Sequence, residues 1–600
     1  MDRKSLLALL MIFVIILLWE PYKNYLYPPE PEIREELQQS VFQESPQDTS
    51  NDTQAAVPEI EQEQQAPTED FGSIQKTDLP ESFVTIETQR YRGVISTKGG
   101  TIEEWALKDY DDEQGNNANI ILNNNTGNLN ISFISKEGLP IDMRDFDFIP
   151  VESTLTGSEY WIDATSQEKI VELAADMGEN RRIIKRFTFL PESFHLKMDI
   201  VFENCNSTVS QQYDLTWGTG IRKTEQITPR DPGFFFTMAM YGDDDVKLDV
   251  GTSTFKEEEP LNGTIHWIAT RSKYFSAIVV PTDNKGTSAR MRGEYNPVFE
   301  TIGPKNYVSS IRMPLEELRV YQNSFLIYLG PVDKFTYDEL SKVAGQDVNF
   351  TTLLDYSKWI RWLSLIIYRL FSFLHEFIPN YGAVIVIFSL LINVLLFPLT
   401  AKSYKSMKKM QDLQPLLNDL KEKYKDEPQK LQQAQIQLYK ELKINPVGGC
   451  LPMVLQMPVF FAIYPIFRSI ELRGAPFMLW MQDLSLPDTV AHLPISLWMF
   501  GDQINILTLI YAVSLFIQQK IMMKDPKQKM LVYLMPIMLL LFFNQLSSGF
   551  VLYFIIFNLT SITQRYLIRD TDEDASTKVD KLKEQLQQKK KVPPKKKKKK

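Results

Sequence analysis

The residues able to do chemistry within a membrane are amides and hydroxyls inside five strongly apolar segments between residues 383 and 562. An ion-coupled transporter needs ionisable side chains at mid-depth. An intramembrane protease needs paired aspartates, a serine with a histidine, or a metal-binding motif. The segments contain essentially none of these, and their polar residues are Ser389, Asn393, Gln456, Thr508, Ser514, Asn544, Gln545, Asn558, Thr560 and Thr563. Two interpretations remain open: hydrogen bonds between helices, each worth about 0.6 kcal/mol, or the lining of a hydrated cavity.

Chemistry outside these segments is equally sparse. There is no Gly-Lys-Ser/Thr phosphate-binding loop, which argues against an ATPase. Cys205 and Cys450 lie in segments of different kinds, so neither a disulfide nor a metal site is expected. His195, on the polar side of a predicted strand, and His266 are interpreted as ordinary structural histidines. We therefore expect no enzymatic activity, no metal and no cofactor.

Five predicted transmembrane spans would position the amides and hydroxyls. The run 445–467 is free of charge but carries Pro452, Pro458 and Pro465, which favours a packed, kinked span over a simple anchor. The spans are predicted at residues 383–399 (ending at Pro398), 445–467, 504–517, 530–543 and 551–562. Every lysine-rich connection then falls on one side of the membrane, which the positive-inside rule makes cytoplasmic.

Residues 402–443 form the largest of these basic connections. Their leucines keep a 3-4 spacing on both sides of a break at Asp426-Glu427-Pro428. The pattern predicts a short antiparallel coiled-coil hairpin in the cytoplasm.

The N-terminal third has a different character. Residues 1–27 contain a short apolar run after Arg3 and Lys4, which favours an uncleaved signal anchor over a cleaved signal peptide. Residues 28–79 are acidic and proline-rich and are expected to form a flexible linker.

Residues 353–378 place their charged side chains near one face of a helix and their aromatic and aliphatic side chains on the other. This pattern is typical of an amphipathic helix lying in the membrane interface.

Residues 80–345 carry the alternation of β-strands. The side chains of residues 194–202 are apolar at every second position, and turn signals such as Lys98-Gly99-Gly100 separate similar runs. Many short strands without intervening helices predict an antiparallel β-sandwich. Its place between an anchor and the spans predicts that it lies outside the cytoplasm.

The C-terminal part resembles the YidC/Oxa family of membrane-protein insertases, in its bacterial form with a large periplasmic domain. The resemblance rests on Phe397-Pro398-Leu399-Thr400, Met407, Met410, Leu413-Gln414-Pro415, Asn445 to Pro452, Gln456-Met457-Pro458, Glu471 to Phe477 and Ser548 to Tyr553. The segment 267–275 and Tyr328-Leu329-Gly330-Pro331 are similar to motifs of the family's periplasmic domain.

The resemblance implies a multi-domain fold: an α-helical membrane bundle of one anchor plus five core helices, an all-β sandwich in the periplasm and a cytoplasmic helical hairpin. Its membrane core would span residues 382–570. The core helices would form a polar groove open to the cytoplasm and the lipid. The residues matching groove or substrate-contact positions are Gln456, Met457, Phe460 and Tyr553, while Lys402, Lys405, Met407 and Met410 belong to the mouth and hairpin.

One position departs from the family pattern. Asn393 stands where the family commonly has a groove arginine, five residues before Pro398. An asparagine keeps the polarity of the groove but removes its fixed charge, so attraction of acidic tails would shift to Lys402 and Lys405.

The implied function is insertion, folding and assembly of integral membrane proteins in the bacterial inner membrane, with both termini in the cytoplasm. The expected partners are nascent membrane proteins, the bilayer and the Sec translocon. The basic tail 571–600 has two interpretations, a ribosome contact and an anionic lipid contact. The competing functions are a transporter or channel, for which no inverted repeat is visible, and a scaffold that uses its β-domain to bind envelope partners.

Overall fold

The computed structural model describes residues 74, 76–121, 127–151, 159–225, 231–251, 256–295, 305–345, 348–354, 356, 359–425, 427–441, 451–497, 500–522 and 529–569. The predicted anchor, most of the linker, the chain entry to the second span at 445–450 and the basic tail lie outside the described residues.

The first half of the described chain is built from β-strands. The strands are β1 Phe83–Glu87, β2 Tyr91–Ser96, β3 Thr101–Asp111, β4 Asn117–Asn119, β5 Asn130–Ser135, β6 Pro140–Asp142, β7 Ile149–Pro150, β8 Glu159–Asp163, β9 Lys169–Asp176, β10 Arg182–Phe189, β11 His195–Glu203, β12 Val209–Trp217, β13 Phe236–Tyr241, β14 Asp244–Leu248, β15 Lys256–Arg271, β16 Phe275–Pro281, β17 Gly286–Tyr295, β18 Lys305–Pro314 and β19 Val320–Pro331. Helix α1, Lys334–Val343, follows the last of them.

These strands form two sheets, as the sandwich prediction requires. In the described residues, one sheet has the order β4-β3-β2-β1-β8, and the other has fourteen strands, with β19 and β11 as neighbours inside its main path. The prediction of a purely antiparallel fold is wrong at one place, because β1 and β8 pair in parallel. Nothing in the alternation of a strand encodes the direction of its partner.

The alternation at residues 194–202 is confirmed as β11. Leu196, Met198 and Ile200 are fully buried, whereas Lys197 is exposed. The placement of His195 on a polar face is wrong, because its side chain is only 5% exposed. Burial lowers the pKa of this imidazole, which is consistent with a structural histidine.

Helix α2, Arg361–Phe377, confirms an amphipathic helix within the predicted interval. One face buries Ile367, Tyr368 and Phe371, while Trp362 and Phe373 are exposed on the other. Large apolar side chains on the outer face are typical of a helix lying against lipid.

Helix α3 runs from Tyr381 to Asp412, so the predicted end at Pro398 is wrong. The proline lacks the N–H that would bond to the carbonyl four residues earlier. The Thr400 hydroxyl donates to the carbonyls of Leu396 and Phe397, at 3.2 and 3.0 Å. The carbonyl that Pro398 leaves without a backbone donor is that of Val394, so the Thr400 bonds do not replace the missing one.

Two short helices follow, α4 at Gln414–Lys423 and α5 at Pro428–Glu441. They pack through a small apolar cluster that contains Leu413, Leu417 and Leu438. Pro428 begins α5, which confirms the predicted break.

The remaining helices are α6 Leu451–Ile463, α7 Ile506–Met522, α8 Lys529–Phe543 and α9 Ser548–Arg569. The described part of α6 ends at Ile463 and does not reach residue 467 as predicted. Strands β20 Thr489–Leu497 and β21 Gly501–Asn505 form a hairpin before α7 that the sequence did not predict. By length and composition, one described helix can cross a membrane, Tyr381–Gln411, and two shorter ones are strongly apolar, Ile506–Ile521 and Val532–Phe543.

The outer surfaces of these helices are apolar. Val394 and Leu395 of α3 are 68% and 71% exposed, and Val513 of α7 is 58% exposed. Soluble proteins rarely expose continuous apolar faces. The pattern therefore indicates a bundle whose outer surface faces lipid.

Candidate functional site: a polar seam along α9

The polar side chains of the helical region converge on α9. Asn558 donates to the Ser514 hydroxyl of α7 at 3.1 Å, and Ser561 donates to the Asn393 side-chain oxygen of α3 at 3.4 Å. Tyr553 of α9 completes the set with a bond to α6. One helix thus bonds side chain to side chain with three others, and all of these side chains except that of α6 are at least nine-tenths buried. We call this set the polar seam.

Gln456 and Tyr553 form the contact between α6 and α9. The Gln456 amide nitrogen donates to the Tyr553 hydroxyl at 3.1 Å. Tyr553 is fully buried, whereas Gln456 is partly exposed. The Gln456 side-chain oxygen is buried and has no hydrogen-bond partner among the described residues. An acceptor left unbonded in an apolar interior costs about 1–3 kcal/mol, so this amide is suited to bonding water or a bound chain.

Apolar residues of α6 border this amide. Met457 is 46% exposed, and Phe460 is partly buried. The Phe460 ring lies 5.2 Å from that of Phe550 and 5.9 Å from that of Phe554. The structure therefore brings Gln456, Phe460 and the Tyr553 helix together, with Met457 on the outer side of α6.

Asn393 lies elsewhere on the seam, between α3 and α9. It is 2% exposed, and its amide donates to the Ser389 carbonyl of its own helix at 3.0 Å. Gln564 donates to the Asn393 backbone carbonyl at 3.3 Å. This position fits a helix–helix contact, and its role in lining a groove stays a prediction.

The predicted mouth residues lie on the extension of α3. Lys402 and Lys405 are exposed, and Met407 and Met410 are partly buried. Met410 packs against the cluster between α4 and α5. The structure thus separates Met410, which contacts the hairpin, from the two lysines on the surface.

A second cluster, which the sequence analysis did not identify, joins the β-domain to the helices. The Tyr368 hydroxyl of α2 donates towards Asp333, 2.8 Å away, and also contacts the Glu471 carboxyl. Burial, with the nearby Asp333 charge as a second cause, raises the pKa of Glu471 to about 7. One hydroxyl proton cannot satisfy two carboxylates, so a proton on Glu471 completes the contact.

Arg473 fixes the same junction. Its guanidinium donates to the Asp111 carbonyl at 2.6 Å and to the Thr224 carbonyl at 3.0 Å. It also lies 5.3 Å from the rings of Tyr274 and Phe275. The only sign of this junction in the sequence was the pair Glu471 and Arg473 in a predicted outer segment. No sequence pattern identifies the partners of these two side chains.

The described residues of this region offer binding surfaces rather than reacting groups. Within the described ranges, no group of three histidine, cysteine or carboxylate side chains can hold a metal ion. Amides beside aromatic rings suit an extended or helical apolar segment that carries a few polar groups.

Comparisons with known proteins cover nearly the whole chain. A family model described as the YidC periplasmic domain matches residues 83–370, and one described as 60Kd inner membrane protein matches residues 373–575. The relative from Chlorobaculum parvum, named membrane protein insertase YidC, is 32% identical over 595 residues and covers 96% of both chains. The relative from Prosthecochloris aestuarii, which has the same name, is 33% identical over 588 residues and covers 95% of both. A crystal structure described as an active YidC insertase with its first transmembrane domain resolved covers 83% of this chain and 94% of its own, at 18% identity and a TM-score of 0.34.

Proposed function

Because this chain belongs to the YidC family, we propose that it is a membrane-protein insertase and chaperone of the bacterial inner membrane. It inserts and folds integral membrane proteins without catalysing a covalent reaction. The family's periplasmic-domain model matches the β-sandwich, and its inner-membrane model matches the helical C-terminal region.

The proposed topology places the membrane core at residues 382–570, with α3, α6, α7, α8 and α9 as its five spans. The anchor occupies residues 1–27, the linker 28–79 and the periplasmic β-domain 80–345. Helix α2 lies in the outer interface, and the hairpin 402–443 and the tail 571–600 are cytoplasmic. The apolar outer surfaces of the described helices support this arrangement.

The groove runs between α6 and α9, with Gln456, Met457, Phe460 and Tyr553 on its wall. The observation that carries this proposal is the buried Gln456 oxygen, which has no hydrogen-bond partner in the described part of the chain and lies beside the fully buried Tyr553 hydroxyl. Water or a client backbone at this oxygen lowers the cost of bringing a polar tail into the bilayer. Met457 and Phe460 then offer apolar contact for the segment that follows.

The mouth residues Lys402 and Lys405 attract acidic tails of clients, since Asn393 carries no charge. Met407 and Met410 connect the mouth to the hairpin, so a movement of the hairpin would displace these two side chains. The clients are nascent membrane proteins, delivered directly or through the Sec translocon. The ribosome is a further partner of the hairpin and the basic tail.

Insertion of a single-span client into proteoliposomes tests the groove. Gln456→Leu removes the unpaired oxygen, and we expect the yield of insertion to fall at least threefold. Thr563→Val is the matched control, because the Thr563 hydroxyl is on the exposed side of α9 and bonds only to the Leu559 carbonyl of its own helix among the described contacts. Equal yields for both variants would contradict the groove.

The accessory regions are tested separately. Deleting residues 592–600 should reduce co-sedimentation with ribosomes at low salt if the tail binds ribosomal RNA, and an unchanged result would rule out the ribosome contact. Insertion that survives deletion of residues 80–330 would make the β-domain accessory to insertion, whereas its loss would support the scaffold function.

A further inference from the structure

A cavity of about 580 Å³ lies where the β-domain, the start of α2 and the end of α6 meet. We call it the junction cavity. It is of the size that proteins use for small ligands. It contains no residue of the polar seam and shares Phe460 with the wall of the proposed groove. Its cationic lining residues are Lys247, Arg271, Lys273, Lys334, Arg361 and Arg468.

The cations of the junction cavity are held in fixed positions. Arg271 donates to the carbonyls of Ser272 and Lys273 at 2.9 and 3.1 Å. Arg468 lies over the Phe234 ring, 4.1 Å from its centroid, and bonds to the Tyr464 hydroxyl. Positive side chains pre-positioned in this way suit a compact anion, because little ordering remains to be done on binding.

Arg361 adds a buried donor to the junction cavity. Its guanidinium Nε is buried and has no hydrogen-bond partner among the described residues. It is also the first residue of α2, and the preceding Ile360 provides no side-chain cap. The uncapped N–H groups and the helix dipole favour an anion at this end.

Acidic groups oppose the cations only in part. Asp245, Asp333 and Glu471 also line the junction cavity, against six cationic residues. The raised pKa of Glu471 means that this carboxyl carries less than a full charge near neutral pH. The balance of the lining is therefore positive.

The opposite wall is aromatic and opens towards the lipid-facing surface. Phe460, Phe461 and Phe542 line it. Phe461 is 40% exposed, and its ring meets that of Trp359 edge-on at 5.8 Å. The junction cavity is thus cationic at one end and apolar at the exposed end.

We propose that the junction cavity binds one anionic phospholipid from the outer leaflet. The phosphate is held by Arg361 and Arg468, whose guanidinium groups recognise phosphate oxygens in pairs. The acyl chains leave across Phe461 and Trp359 into the bilayer. A phospholipid matches both ends of the junction cavity, whereas an acidic peptide would match only the cationic end.

The bound lipid joins the β-domain to the membrane helices, because its phosphate contacts Arg361 of α2 and Arg468 after α6. Both side chains line a cavity that residues of the β-domain also line. This proposal rests on the membrane placement in the proposed function but not on insertion activity. An unaltered chain that inserts clients but does not bind the phospholipid would overturn this proposal alone.

Native mass spectrometry of the full chain in detergent tests the site, with dioleoylphosphatidylglycerol as the probe. We expect Arg361→Gln to weaken its binding at least tenfold. Arg369→Gln is the matched control, because Arg369 is exposed on the same helix and does not line the junction cavity. Arg468→Gln provides a second variant should Arg361→Gln fail to fold, as judged by circular dichroism.

Three competitors separate the sources of the anion. Labelled phosphatidylglycerol is bound first, and each unlabelled competitor is then added. Unlabelled phosphatidylglycerol should displace the label at least tenfold better than dioleoylphosphatidylcholine, inorganic phosphate or an aspartate-rich peptide does. Full displacement by phosphate would reveal a site for free anions, and full displacement by the peptide would reveal a site for client tails. Either result, or equal weakening by Arg361→Gln and Arg369→Gln, would overturn the proposal.

Discussion

Replacing Tyr553 with phenylalanine removes one hydroxyl from the contact between α6 and α9. The Gln456 amide then loses its donor bond of 3.1 Å. Because Gln456 is partly exposed, water in the groove can replace the lost partner. We therefore expect the free energy of unfolding to fall by only about 0.6 kcal/mol, the average for a hydrogen bond between membrane helices.

The reciprocal change, Gln456→Leu, should cost more. Tyr553 is fully buried, so its hydroxyl would be left without a partner. An unsatisfied buried hydroxyl costs about 1–3 kcal/mol. The double variant removes both groups, and its cost should be smaller than the sum of the two single costs.

The assay is unfolding in mixed micelles by titration with sodium dodecyl sulfate. It is applied to the wild type, the two single variants and the double variant, which together form a double-mutant cycle. A hydrated groove requires that Gln456→Leu lowers the free energy of unfolding more than Tyr553→Phe does. It also requires that the cost of the double variant is smaller than the sum of the two single costs. Equal costs above about 1 kcal/mol would mean that water reaches neither side chain, which would refute the groove at this position. Additive costs would show that the hydrogen bond contributes nothing to stability.

Three further outcomes follow from the seam and the junction. The pKa of the Glu471 carboxyl is about 7 in the native chain and about 4.5 in the unfolded chain. The native state therefore binds the proton more tightly, and the free energy of unfolding should fall as pH rises between these two values. Glu471→Gln should abolish that slope when unfolding is measured between pH 5 and 8. Arg473→Ala should cost about 1.5–3 kcal/mol, the range for hydrogen bonds to charged groups, and should speed limited proteolysis between the β-domain and the helices, with an unchanged digestion pattern as the contrary result. Asn393→Ala should lower insertion modestly and Asn393→Leu more strongly, because leucine excludes water and crowds α9; proteoliposome insertion equal to wild type for both would rule out a hydrated role there.

The sequence predicted the architecture well where hydrophobic periodicity carries the signal. The strand at β11 and the break at Pro428 both rest on local patterns, and both are confirmed. The continuation of α3 past Pro398 was missed because the proline was treated as the end of the span, whereas the helix runs on to Asp412. Proline is tolerated inside the helices of a membrane bundle, so a proline rule written for soluble helices does not apply to it.

The candidate site was predictable in its residue types but not in its pairing. Gln456 and Tyr553 are ninety-seven positions apart, and no spacing rule joins them. Asn558 and Ser561 confirm hydrogen bonds between helices, and the Gln456 nitrogen makes one to Tyr553. The hydrated cavity stays a prediction, which rests on the Gln456 oxygen that has no partner among the described residues.

The junction between the β-domain and the helices was the least predictable part. Asp333, Tyr368 and Glu471 come from three separate elements, and their contact depends on how a β-sandwich packs against a helix bundle. Single-sequence patterns carry no information on such packing. The charged residues could be seen in the sequence, but their burial could not.

Site-specific photocrosslinking to a nascent single-span protein tests the central claim most directly. A benzoylphenylalanine placed at Met457 or Phe460 should crosslink to the client during synthesis. The same group at Leu559, which is 49% exposed on α9, serves as the lipid-facing control and should give at most a tenth of that yield. Equal crosslinking from all three positions, or none from Met457 and Phe460, would contradict a client groove between α6 and α9.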